Sequence, residues 1–152
     1  MNRLIAAAAL VLIAGPALAQ DVISPSGSRP TVIGSAEVFT GTVFVEPIFS
    51  ATDGRNYEMA SVTFLPGAHS NWHSHPAGST MYVTSGTGWT QVEGGERQII
   101  RAGDVIWAPP GVKHWHGASD TTAMTHIVVN GSVEGKVVEW MERVTDEQYL
   151  SE

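Results

Sequence analysis

From Val32 onward, β-branched, aromatic and other apolar residues come in short runs interleaved with polar ones: Thr42 to Phe49, Tyr57 to Leu65, Thr80 to Thr84, Trp89 to Glu93, Gln98 to Arg101, Val105 to Ala108, Met124 to Val129 and Val137 to Met141. Runs of this length and composition are strands, and alternation within them marks one buried face. Turn-forming residues separate the runs at Asp53-Gly54, Pro66-Gly67, Gly94-Gly95, Ala102-Gly103-Asp104, Pro109-Pro110-Gly111 and Asn130-Gly131. Glycine supplies positive φ at such places and proline fixes the bend. No long helical period interrupts this stretch, so the pattern predicts an all-β domain, a small antiparallel sandwich or barrel. Only the tail departs: Thr145 and Gln148 form a capping-box pair that opens a short helical turn, with Tyr149 and Leu150 as its apolar contacts.

The opening residues have a different layout. A polar start with Arg3, an apolar run from Leu4 to Ala14 and the small-residue exit Ala17-Leu18-Ala19 read as a signal peptide over 1–19, cleaved after Ala19. The run is too short for a transmembrane helix. Residues 20–31, rich in Ser, Pro and Gly, read as a flexible lead-in, and 32–152 as a single domain. A hydrophobic content of 43% is enough for one core in a chain of 152 residues. Export implies a periplasmic or secreted protein, yet the sequence has no cysteine, which excludes disulfides and thiol chemistry. Loss of Arg3 with the leader takes the formal charge from −7 to −8. That balance excludes nucleic acid as a partner class, and anionic membrane once the leader is gone.

Candidate chemistry sits in the histidines. His73 and His75 are two apart on an extended segment, so their rings share one face, and His114 follows the Pro109-Pro110-Gly111 turn. Three imidazoles converging on one point are a metal site. His116 lies on the same face as His114 if the strand continues, either as a hydrogen-bond donor orienting a ligand or as a general base. His126 alternates with Met124 and Val128 and reads as a core histidine, while His69, in the loop after Pro66-Gly67, reads as exposed. Trp72, Trp107 and Trp115 read as packing residues, and Met81, Val83, Ile106 and Met124 as pocket lining.

Gly67 is followed after five residues by His73, after one more by His75, after three by Ser79 and after six by Gly86. Gly103 is followed after five by Pro109, after one by Gly111 and after two by His114. In these spacings, over 67–86 and 103–118, the sequence resembles the two motifs of the cupin superfamily, which implies a small conical β-barrel of the jelly-roll type around a metal. Cupins usually place Glu or Gln where this chain has Ser79, and often Asn where it has Ala118. Ser79 is a poor ligand, so three neutral imidazoles leave the ion's charge uncompensated and favour an anion in its open positions. The strings Asn71 to Gly78, Pro109 to Ala118 and Ala123 to Ile127, with the Trp140 to Tyr149 tail, are similar to small bacterial cupins related to manganese-dependent hydroxynitrile lyases.

That resemblance implies His73, His75 and His114 as metal ligands, His116 as base and His126 as a group contacting substrate or cyanide. It implies manganese, with iron, nickel, copper or zinc compatible with imidazole ligands too. It also implies a small-molecule substrate and a homo-oligomer, dimer or tetramer. Two further functions fit the same histidines: an iron-dependent dioxygenase, and a non-catalytic exported binding protein in which Ser79 marks a repurposed site.

Overall fold

The computed structural model describes residues 21–52 and 54–151. The expected leader lies outside the described residues, as does Asp53 of the Asp53-Gly54 turn. In chain order the strands are β1 (Val32–Ile33), β2 (Phe39–Thr40), β3 (Val43–Phe49), β4 (Tyr57–Phe64), β5 (His69–Ser70), β6 (His73–Ser74), β7 (Ser79–Val92), β8 (Gln98–Arg101), β9 (Val105–Ala108), β10 (His114–Ala118), β11 (Met124–Gly131) and β12 (Glu139–Trp140). The helix α1 (Asp146–Leu150) closes the chain.

The sheet runs β1-β3-β4-β11-β7-β10-β5-β2, with β8 and β9 paired to β7 and β6 bridging β10 and β12. Its strands pair antiparallel, and β7 belongs to both walls: Ser79 to Gly86 pair with β11, and Gly88 to Val92 pair with β10. The sequence pattern divides this strand into two runs at Ser85-Gly86-Thr87-Gly88, where the structure has one continuous strand that bends. Gly86 makes the bend possible, with φ of 78°, and a Cβ on it would lie 1.9 Å from the Ala123 carbonyl oxygen. No other residue type fits against β11 there.

Alternation orders the interior. On β11, Met124, His126, Val128 and Asn130 are buried and the residues between them are half-buried, as one inward face of a strand requires. The strand continues through Asn130-Gly131, which the pattern assigns to a turn. Val43, Phe64, Met81, Val83 and Met124 pack as the barrel core. Trp72, Trp115, Val144 and Tyr149 pack separately under α1, so Trp72 and Trp115 take the packing role expected of them. Trp107 does not: it is 57% exposed, and it covers Gly78, where a Cβ would meet its ring at 2.3 Å. The expected capping box is present, with Thr145 Oγ1 accepting from the Gln148 backbone and Gln148 Oε1 accepting from the Thr145 backbone.

His69 is a correction to the sequence reading. It is 2% exposed, because β5 pairs with β10 at Gly117 and the Tyr149 ring stacks on it at 4.3 Å. The tail helix thus covers a residue that sequence position alone leaves in solvent.

Candidate metal centre

Two short strands and one longer one bring the histidines together. β6 pairs with β10 so that His73 and His114 are direct register partners, and their ring centroids lie 4.3 Å apart. His75 follows two residues on, 5.1 Å from His73 and 5.5 Å from His114. His116 reaches in from β10 at 5.2 Å from His73, and His126 from β11 at 4.9 Å from His116. All five are buried.

Hydrogen bonds divide these rings into two kinds. His73 Nδ1 is 2.9 Å from the Asn71 carbonyl, His75 Nδ1 is 2.7 Å from that of Val137, and His114 Nδ1 is 3.0 Å from that of Val112. A carbonyl only accepts, so each Nδ1 must carry the proton and donate, which leaves each Nε2 as a bare lone pair. This is how proteins fix the tautomer and aim of a ligating imidazole. His116 and His126 have no such anchor: among the described residues, Nδ1 of His116 and both ring nitrogens of His126 are buried without a partner.

Proximity gives a different grouping. His73, His114 and His116 each offer a ring nitrogen within 4.8 Å of the others and could hold a metal ion. The two groupings disagree over His75 and His116. The anchor leaves Nε2 free in His73, His75 and His114, and His69, which packs on Tyr149, has the same anchor from the Gly67 carbonyl. The fit to a divalent cation rests on the three Nε2 lone pairs that these anchors leave free on buried rings. Ser79 opens β7 opposite Ala108 of β9; it is 2% exposed and its Oγ has no partner among the described residues.

The electrostatics of the rings follow from burial. His126 is held down to about 4, and His75 also to about 4, chiefly because desolvation disfavours the imidazolium. The same effect, reinforced by the neighbouring rings, puts His73 and His116 well below 6.5. Neutral rings are what metal ligation and proton acceptance both need.

A cavity of about 230 Å³ opens onto His73, His75, His116 and His126. Its walls include Phe39, Ala60, Val62, Phe64, Val128 and Trp140, and Glu58 and Asn130 also line it. The expected lining residues Met81, Val83, Ile106 and Met124 do not border this space. Met81, Val83 and Met124 point inward but lie in the packed core. Ile106 borders a second cavity of about 190 Å³, which reaches His114 past Thr90 and Ala108. Glu58, Asn130 and the β3–β4 wall carry no sequence signal of this role, because alternation identifies an inward face but not the end of a barrel that stays open.

The fold and the site together define a small all-β barrel whose interior presents a cluster of imidazoles beside an apolar pocket. A cupin domain model matches residues 60–130. The chain is 54% identical over 123 residues to (R)-mandelonitrile lyase of Granulicella tundricola, covering 81% of this chain and 94% of that protein. It is 39% identical to a cupin-like protein of Thermotoga maritima of known structure, covering 85% and 95% of the two chains with a TM-score of 0.73. A cupin-2 domain protein of Rhodospirillum rubrum, 18% identical with a TM-score of 0.64 over 84% and 82% of the chains, shares the fold. The chain belongs to the cupin family.

Proposed function

We propose that this protein is a metal-dependent lyase of the hydroxynitrile-lyase type, cleaving cyanohydrins to an aldehyde and cyanide, with His73, His75 and His114 as ligands. The observation that carries the reading is the pairing of two carbonyl-anchored imidazoles, His73 and His75, with two unanchored ones, His116 and His126, on a single pocket, in a chain 54% identical to a protein named (R)-mandelonitrile lyase. A divalent ion on these ligands supplies Lewis acidity, which makes a substrate hydroxyl easier to deprotonate.

The remaining work falls to residues of the chain. His116 is neutral at pH 7 because of burial and its neighbours, so it accepts the cyanohydrin's hydroxyl proton. The O–H electron pair becomes the second bond of the carbonyl, and the carbon–carbon pair leaves with cyanide. His126, also neutral, always has one ring N–H and no partner for it among the described residues, so it donates to the departing cyanide. The apolar walls exclude water and hold the organic group. The protein acts outside the cytoplasm, after its leader is removed, and as a homo-oligomer; manganese is the ion we assign.

The test is manganese-loaded protein with mandelonitrile under nitrogen. We expect benzaldehyde without any need for oxygen, and a fall of about 10²–10⁴-fold in His116→Ala, the range of general-base catalysis. Equal rates for the protein and the variant, or a requirement for oxygen, would remove the lyase reading.

A further inference from the structure

The pocket has a polar far end. Asn130 is 7% exposed and borders the cavity together with Glu58, its register partner across β11 and β4. Its Nδ2 donates to Glu58 Oε1 at 3.2 Å, while its Oδ1 is buried without a partner among the described residues. The carboxylate fixes this amide orientation, since a flipped amide would set two oxygens against each other. A buried amide oxygen left unpaired is destabilising, so such an atom on a cavity wall marks a place for a ligand donor.

Residues 126, 128 and 130 share the inward face of β11. At about 3.3–3.4 Å per residue, His126 and Asn130 are about 13 Å apart at their Cα atoms. A hydrogen bond of about 2.9 Å at each end leaves about 7 Å of that distance for one substituted ring. Ala60, Val62 and Val128 line this middle stretch and present nothing polar to it. The cavity, about 230 Å³, is smaller than the sites of about 300–1,000 Å³ that take drug-sized ligands. It suits a single-ring molecule that is polar at both ends and apolar between.

We infer that Asn130 and Glu58 form a specificity subsite for a hydrogen-bond donor at the distal end of the substrate, so that the substrate class is the cyanohydrins of hydroxylated aromatic aldehydes. The donor is a hydroxyl carried on the ring opposite the reacting carbon, given to Asn130 Oδ1 and to the Glu58 carboxylate oxygen. The inference rests on the lyase reading for its reaction, but the subsite itself is independent of turnover. A site built to accept from a hydroxyl discriminates against the analogue that lacks one, because its buried acceptors are then left unpaired.

Ligand-observed NMR titration with 4-hydroxybenzaldehyde and with benzaldehyde measures the subsite without catalysis. The wild-type protein should bind the hydroxylated aldehyde about tenfold more tightly, as one hydrogen bond shared with a charged group provides. In Asn130→Leu that ratio should fall towards one. Kinetics with 4-hydroxymandelonitrile and mandelonitrile should give the same ordering in kcat/KM. Equal binding of the two aldehydes by the wild-type protein overturns the inference whatever the variant does, as does a preference that survives in Asn130→Leu. Preferential binding without turnover of either cyanohydrin sinks the lyase reading and leaves the subsite standing.

Discussion

The bend in β7 should be the most sensitive backbone position in the barrel. Gly86 and Gly94 have nearly the same backbone conformation, with φ of 78° and 75°, so the conformational cost of alanine is about 1–2 kcal/mol at each. Their surroundings differ. A Cβ at Gly94 meets nothing within 4 Å, whereas at Gly86 it would lie 1.9 Å from the Ala123 carbonyl oxygen, 2.9 Å from its carbon and 3.1 Å from Met124 Cα. These are all backbone atoms of the chain entering β11, so relief requires a strand to move, and overpacking of this kind adds about 1–3 kcal/mol. Gly94→Ala should therefore lose about 1–2 kcal/mol and Gly86→Ala about 2–5 kcal/mol in urea denaturation with an unchanged slope. The second half of β7 pairs Thr90 with His116, so the same displacement reaches the site and should lower metal affinity in Gly86→Ala alone. Equal losses in the two variants would show that the close approach to β11 does not govern the bend.

Two further outcomes follow from buried polar groups. His69 is held below 6.5 by desolvation, so the unfolded chain takes up its proton first: this contribution to stability is complete above pH 6.5 and is lost as pH falls below it. Replacing it with Phe should reduce the pH dependence of denaturation below pH 6.5 by up to about 1.4 kcal/mol per pH unit, the limit for one proton; an unaltered slope would place its titration elsewhere. Ser79→Gln puts an amide carbonyl where a hydroxyl now lies buried and unpartnered, and it should tighten divalent-ion binding about tenfold in chelator competition; unchanged affinity would mean that this position does not face the ion.

Much of the barrel was legible because alternation and glycine spacing are local signals. β3, β4, β8, β9 and β11 fall on predicted runs, and the capping box at Thr145 holds atom for atom. What escaped depends on contacts between distant segments. Gly86 reads as a strand-end glycine until β11 is laid against it. The short strands β2, β5 and β6 exist only through their partners, and β12 keeps two residues of the predicted Val137 to Met141 run because it pairs only with β6. The five site histidines could be named from spacing and resemblance, but the carbonyl anchors that separate His75 from His116 come from Val112, Val137 and Asn71, whose side chains carry no sign of that role. Asn130 reads as a turn former beside Gly131, although its amide belongs to a wall that forms only when β4 and β11 pair.

The claim on which the account rests is that His73, His75 and His114 together hold one divalent ion. Elemental analysis of chelator-stripped, manganese-reloaded and dialysed protein tests it, alongside His73→Ala, His75→Ala, His114→Ala and His116→Phe. The account predicts one ion per chain in the wild-type protein and in His116→Phe, and loss of the ion in each of the other three. A wild-type protein that retains no ion, or an ion that survives in His75→Ala but not in His116→Phe, would contradict it.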